Sequence, residues 1–353
     1  MYVDLASDYL IMRITESSPG RQSVPRSRSD ASRGNAMNRR IFLGSSALLA
    51  VSLLTYKDKA LAQAMGTDPD PAPIGLKAVE AIYKSSNGNV VAMDSLLYIY
   101  DKSITSNDVI IAGSYCGAAT LPHAIKTGVK AMIAHNAGVG KEDAGISALY
   151  LGEKHNFPVA AVECMSASIS NGRSMAAGVI SHANAQALAL GVKPGQNVTE
   201  AAKLLLAAAP GKPSDVAVPF DKKVFEKGRV GSSRIFASSA LTNLRPEDDH
   251  TNDVIAWGAH SGAIAADLVK KWKVKGWIGN DAGMAKNHTG IGGLPACNAI
   301  GVPAAAVSTM SARIGDGLST YEDGIISAFN DLAGQKGLRE GMKASEALQL
   351  LAA

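Results

Sequence analysis

Asn107-Asp108-Val109-Ile110, followed by Gly113-Ser114-Tyr115-Cys116-Gly117, returns 145 positions later as Asn252-Asp253-Val254-Ile255 and Gly258-Ala259-His260-Ser261-Gly262. The correspondence continues at the same spacing. His135-Asn136-Ala137-Gly138 meets Asn280-Asp281-Ala282-Gly283, Lys141 meets Lys286, and Met165-Ser166-Ala167 meets Met310-Ser311-Ala312. Over 107–175 and 252–320 no gap is needed and roughly two positions in five are identical, far above chance for unrelated segments. A one-residue insertion then moves the match to 146, setting Ile180-Ser181 on Ile326-Ser327. One unit is used twice in this chain.

Within each copy, short apolar runs alternate with helical stretches. In copy one, strands are expected at 109–112, 129–134 and 159–162, with helices around 124–126 and 146–152 between them. Runs at 90–93 and 235–238 add a strand ahead of each copy, and helices over 178–190 and 198–209 finish copy one. This order predicts an α/β fold of two tandem βαβαβ-type repeats with parallel strands in Rossmann-like layers. The first repeat is expected over 75–206 and the second over 235–353. A Pro-, Lys- and Gly-rich linker at 207–234 joins them. Right-handed crossovers bring the carboxyl ends of the strands to one edge, where ligands of open α/β sheets bind.

Composition agrees with that architecture. Aromatics make up only 5% while glycines number 35, which suits small-residue packing of helices on a parallel sheet. The net charge of +4 arises at the N-terminus. Residues 1–64 hold nine of the 35 Lys/Arg and five of the 31 Asp/Glu, leaving 26 of each sign. A neutral body offers no electrostatic case for nucleic acid or an anionic membrane surface. Cys116, Cys164 and Cys297 are odd in number and widely spaced, unlike a disulfide framework or a zinc pattern. No two of the seven histidines are spaced as on a zinc-binding helix, so no metal ligand set is expected.

The N-terminus reads as an address. Residues 1–36 are polar, Ser/Arg-rich and aperiodic, either disordered or the product of a start assigned too early. Met37-Asn38-Arg39-Arg40-Ile41-Phe42-Leu43 resembles a twin-arginine export signal. The apolar stretch at 41–54 is shorter than the ~20 residues of a membrane span. Ala62-Gln63-Ala64 offers a small-x-small cleavage site. The expected outcome is passage through the twin-arginine machinery, cleavage near Ala64 and a periplasmic or extracellular protein with no remaining membrane span.

Residues able to do chemistry collect after the strands. In copy one they are Ser114, Tyr115, Cys116, His135, Asn136, Lys141, Ser166, Ser168 and Asn171; in copy two, His260, Ser261, Asn280, Asp281, Lys286, Ser311, Arg313 and Asp316. Asp281, Arg313 and Asp316 stand where copy one has Asn136, Ser168 and Asn171, an asymmetry that a single asymmetric site would need. The catalytic candidates are therefore Asp281 as base or as partner to His260, and Ser261 or Cys116 as nucleophile. Arg313, Asp316, Lys286, Ser114, Asn136 and Ser311 are the candidates for holding a substrate, Arg313 by forking a carboxylate. Each has a structural alternative. Asp281 and Asn136 suit helix caps and tight turns, Arg313 and Asp316 an internal ion pair, Cys116 a small buried filler, and Ser311 a turn. The Gly-x-x-x-Gly spacing is neither a dinucleotide fingerprint nor a P-loop, so no cofactor is named.

Two functions follow as expectations. One is an exported enzyme acting on a small polar or anionic metabolite by acid/base chemistry, of hydrolase, lyase or isomerase type and independent of nicotinamide. The other is an exported two-lobed solute-binding protein that closes on its ligand.

Overall fold

Each apolar run becomes a strand buried on both faces, because alternate side chains serve opposite helical layers. In copy one the strands are β1 (Val79–Ser85), β2 (Gly88–Met93), β3 (Val109–Tyr115), β4 (Ala131–His135), β5 (Val159–Val162) and β6 (Ile180–Ala183). Copy two supplies β7 (Val224–Val230), β8 (Ser233–Ser238), β9 (Val254–His260), β10 (Gly276–Asn280), β11 (Ala304–Val307) and β12 (Ile326–Phe329). The computed structural model describes residues 70–217, 223–245 and 247–353. The expected leader at 37–64, its cut near Ala64 and residues 1–36 lie outside them.

Two six-stranded sheets result, with orders β1-β2-β3-β4-β5-β6 and β12-β11-β10-β9-β8-β7. The inner strands of each are parallel and the outermost pairs antiparallel. The two-repeat α/β expectation is met, with an antiparallel strand added at each edge. Chain order equals spatial order, so neither sheet has an internal point where strand order reverses. In copy one, Val91, Ile110, Met132 and Ala161 pack under helices Leu121–Thr127 and Ser147–Lys154. Val90, Ile111, Ile133 and Ala160 face helices Gly172–Ala177 and Val198–Leu205 on the other side. Among the described residues no helix is long and apolar enough to cross a membrane.

Two edges depart from the sequence reading. The stretch expected to link the copies contains β7, paired antiparallel with β8 through a tight turn at Gly231, whose φ is +57°. The Glu226, Lys227 and Arg229 that read as linker are half-buried or exposed residues of an edge strand, where charge discourages further pairing. The stretch 178–190, expected as helix, begins instead as β6. Asn184 then caps a short helix, Ala185–Ala189, by accepting from the Ala187 N–H.

Both copies lie in one packed unit. They meet through the loops after β4, β5, β10 and β11, with reciprocal contacts. Lys141 N–H donates to the Thr309 carbonyl at 2.8 Å and Lys286 N–H to the Cys164 carbonyl at 3.2 Å. Gly138 and Gly283 touch so closely that a Cβ on either would lie 2.8–2.9 Å from the other's Cα. Tyr115, Ala137, Cys164, Ala282, Ala285 and Ile314 form an apolar seam there.

Candidate functional site

Most of the polar residues that end the strands are spent tying together loops of their own copy. His135 closes β4 with its Nδ1 accepting from the Ala137 N–H at 3.0 Å. Its Nε2 faces the carbonyls of Cys164 and Ala167 at 3.2 and 3.1 Å, which assigns the proton to Nε2. Burial pulls its pKa down to about 4, against the opposing pull of those carbonyls. Asn280, its counterpart, accepts from Ala282 N–H and donates to the Ala312 carbonyl, at 2.9 and 3.1 Å. A neutral imidazole and an amide thus do the same task in the two halves: each ties one loop to the next.

Asp281 and Asn136 also serve the loops. Asp281 Oδ1 accepts from the N–H groups of Gly283 and Thr309, both at 2.9 Å, and Oδ2 from Ser327 Oγ at 2.8 Å. Asn136 Oδ1 accepts from Gly138 N–H at 3.0 Å while Nδ2 donates to Ser181 Oγ at 3.1 Å. Burial raises the Asp281 pKa, and the three donors only partly offset it. With its folded pKa above the unfolded value of 3.8, this carboxyl stabilises the fold most when protonated. That contribution is lost as pH rises through the folded pKa. Asp281→Asn, which copies Asn136, should therefore melt no lower than wild type at pH 7, with its relative advantage shrinking as pH falls toward 4 in a series of thermal melts. A large loss of stability at pH 7 would mean that the ionised carboxylate is needed.

The candidate nucleophiles are sealed. Cys116 is buried with Sγ 3.8 Å from the Ala160 carbonyl, and burial pushes its thiol pKa up, away from thiolate. Ser261 is fully buried, and its Oγ has no hydrogen-bond partner among the described residues. It faces Gly279 beside the indole of Trp257, which stacks on Trp277 at 4.2 Å. The positions equivalent to Trp257, Gly279 and Ser261 in copy one are Ala112, Ala134 and Cys116. Copy two thus has Trp for Ala in one strand and Gly for Ala in its neighbour, leaving the hydroxyl and the Trp257 indole N–H beside Gly279, both without a hydrogen-bond partner among the described residues. Ser261→Ala should raise stability by about 1 kcal/mol, since an unpaired buried hydroxyl costs roughly that much or more. Denaturant titration reads the effect, and a loss of stability would mean that the hydroxyl has a partner.

His260 differs from the others. It is half-buried, its Nδ1 accepts from Gly262 N–H at 3.1 Å, and Nε2 makes no hydrogen bond among the described residues. Desolvation first, and the neighbouring His135 second, pull its pKa down to about 4. The space a Gly262 Cβ would take lies within 3.0 Å of the His260 ring and 3.2 Å of Ser170 Oγ, so His260 borders the loop carrying Ser168 and Asn171. It makes no bond to Ser261.

The remaining serines pin backbone. Ser114 Oγ accepts from Leu96 N–H at 2.9 Å. Ser311 Oγ donates to the Ser308 carbonyl and accepts from Ile325 N–H, at 2.8 and 2.9 Å, while Ser166 does the same with Glu163 and Val179.

The charged residues form two reciprocal clusters flanking the seam. In the first, Arg313 forks Asp316 through Nε and Nη2 at 3.2 and 2.9 Å and reaches Glu142 of the other copy through Nη1 at 3.1 Å. Asp316 Oδ1 caps helix Gly317–Glu322 by accepting from Ser319 N–H. Lys141 Nζ meets Asp323 at 2.9 Å, and Ser319 Oγ donates to the same carboxylate oxygen at 2.8 Å. Every charge here has an integral partner.

In the second cluster Lys286 and Ser174, counterparts of Lys141 and Ser319, also grip a carboxylate, at 3.0 and 2.8 Å. It belongs to Asp70, because copy one has Ala177-Gly178 where copy two has Asp323-Gly324. Asn287 Nδ2 donates to Asp70 Oδ2 at 2.8 Å, and Ser168 Oγ donates to the same oxygen. Burial pushes the Asp70 carboxyl up, but the four donors together outweigh it and hold the pKa below the usual carboxylate value. The sequence pointed to Lys286 and Ser168 but not to Asp70, Ser174 or Asn287. The one signal it carried was Lys141 and Lys286 kept identical while the acid at 323 has no equivalent in copy one.

No known protein family, curated protein or solved structure matches the chain.

Proposed function

We propose that this chain is an exported binding protein that takes a carboxylate-bearing ligand at the four-donor cradle of Lys286, Ser168, Ser174 and Asn287. The observation that carries the reading is the unequal pair of clusters. The same Lys and Ser hold an integral Asp323 in one half and a carboxylate from outside the repeat, Asp70, in the other. A half-buried lysine with three further converging donors and no acid of its own is built for an incoming anion. The twin-arginine-like leader supports export.

Calorimetric titration tests this. Full chain carrying Asp70→Ala should bind at least one simple carboxylate, such as acetate or succinate. Adding Lys286→Met should weaken binding ~10- to 100-fold, the value of one hydrogen bond to a charged group. If Asp70→Ala binds no carboxylate, acid or peptide, the reading fails.

Acid/base catalysis on the same class of ligand is the second reading. His260 favours it: a neutral imidazole whose Nε2 has no hydrogen bond among the described residues borders the loop that carries Ser168 and Asn171. Turnover lost in His260→Gln with ligand affinity retained would support that reading over binding alone.

A further inference from the structure

Resting on that carboxylate reading, we propose that the ligand is an acidic peptide segment bound in extended form, and that residues 70–72 of this chain are its built-in competitor. Three successive residues of the arm are gripped by side-chain donors. The Asp70 carboxylate takes four of them. The Pro71 carbonyl then accepts from Asn171 Nδ2 at 2.7 Å and the Ala72 carbonyl from Arg173 Nη1 at 3.2 Å. Arg173 is aimed by Glu80, which accepts from its Nε at 2.6 Å. A free carboxylic acid would use only the first four donors. Asn171 and Arg173 reach carbonyls one and two residues further on, which a peptide presents and a small acid does not.

The other half shows that these donors are particular to the arm's position. The counterparts of Asn171, Arg173 and Asn287 are Asp316, Leu318 and Glu142, two acceptors and an apolar side chain. The counterpart of Ser168 is Arg313, already spent on Asp316 and Glu142. Donors to a chain of carbonyls therefore exist only where the arm lies, and in each of these contacts the arm supplies the acceptor and the protein body the donor.

The arm's own sequence fits such a site. In Asp70-Pro71-Ala72-Pro73 every second residue is proline, which holds Asp70 and Ala72 extended and lowers the entropy cost of binding. At its far end Gly75, at φ +115° with open space around it, donates its N–H to Asp94 at 2.8 Å. The tether keeps the arm near its site at an effective concentration in the millimolar range, so an outside peptide must compete with it.

The test uses the full chain with Asp70→Ala and an acetylated, amidated hexapeptide, Asp-Pro-Asp-Pro-Ala-Pro, followed by calorimetry. The peptide should bind the variant at least ~10-fold tighter than succinate does, and at least ~10-fold tighter than it binds wild type. Changing the peptide's second Asp to Asn should remove binding. In the Asp70→Ala background, Arg173→Leu and Asn171→Ser, the latter keeping a helix-capping residue, should weaken the peptide several-fold and leave succinate unchanged. If succinate binds as tightly as the peptide, or if both substitutions leave peptide affinity intact, the peptide assignment is overturned while the carboxylate reading stands. If neither probe binds, both fall.

Discussion

Gly283→Ala should unfold at markedly lower denaturant than wild type, losing about 2–5 kcal/mol. Two costs add. Gly283 has φ +69°, a conformation that costs a residue with a Cβ about 1–2 kcal/mol. The new Cβ would also meet Gly138 Cα at 2.8 Å and Cys164 Sγ at 3.0 Å, at the point where the two copies touch. Backbone atoms of the opposing loop cannot swing aside as a side chain does, and overpacking of this kind costs about 1–3 kcal/mol. Gly341 separates the two effects. Its φ is +82° and a Cβ there would meet nothing within 4 Å, so Gly341→Ala should lose only the conformational cost. Equal losses in urea titrations of the two variants would show slack between the copies.

Asp253→Ala should lose about 2–4 kcal/mol, because it takes the carboxylate away from a buried His250 and a partly buried Arg234. Asp253 is 1% exposed and accepts from Arg234 Nε and Nη2 at 2.7 and 2.6 Å, while His250, also buried, meets the same carboxylate at 2.8 Å. Asp108, its counterpart, is buried and among the described residues has uncharged donors, namely Asn89 N–H, Thr105 N–H and Thr105 Oγ1 at 2.7–2.9 Å. The Asp of the repeated Asn-Asp before β3 and β9 thus anchors the chain ahead of a strand in both halves. A loss below about 1 kcal/mol in Asp253→Ala would show that water reaches Arg234 and His250 readily enough to replace the carboxylate.

The inner strands were legible because they are apolar runs of ordinary length and because each occurs twice at a fixed spacing. The edge strands were not. β7 carries Glu226, Lys227 and Arg229 and β6 has only Ile180 buried, so neither shows the apolar run or full alternation that marks a strand. Sequence also placed the polar residues at the strand ends, where they are. It could not show that the two sets of strand ends face each other, nor that His135, Asn136, Asn280 and Asp281 are spent tying loops of their own copy while Ser261 and Cys116 are buried. Nor could it show that Asp70, which lies outside both copies of the repeat, supplies the acid missing from copy one.

The reciprocal joining of the two halves has a consequence for how such a protein can acquire a specialised surface. Two separate molecules of one such unit, paired about a two-fold axis, would carry identical flanks, each obliged to be either occupied by its own acid or open. Joining the units in one polypeptide lifts that obligation. One flank, with Arg313 and Asp323, is closed by an acid of its own repeat, while its twin takes its acid from Asp70, outside the repeat.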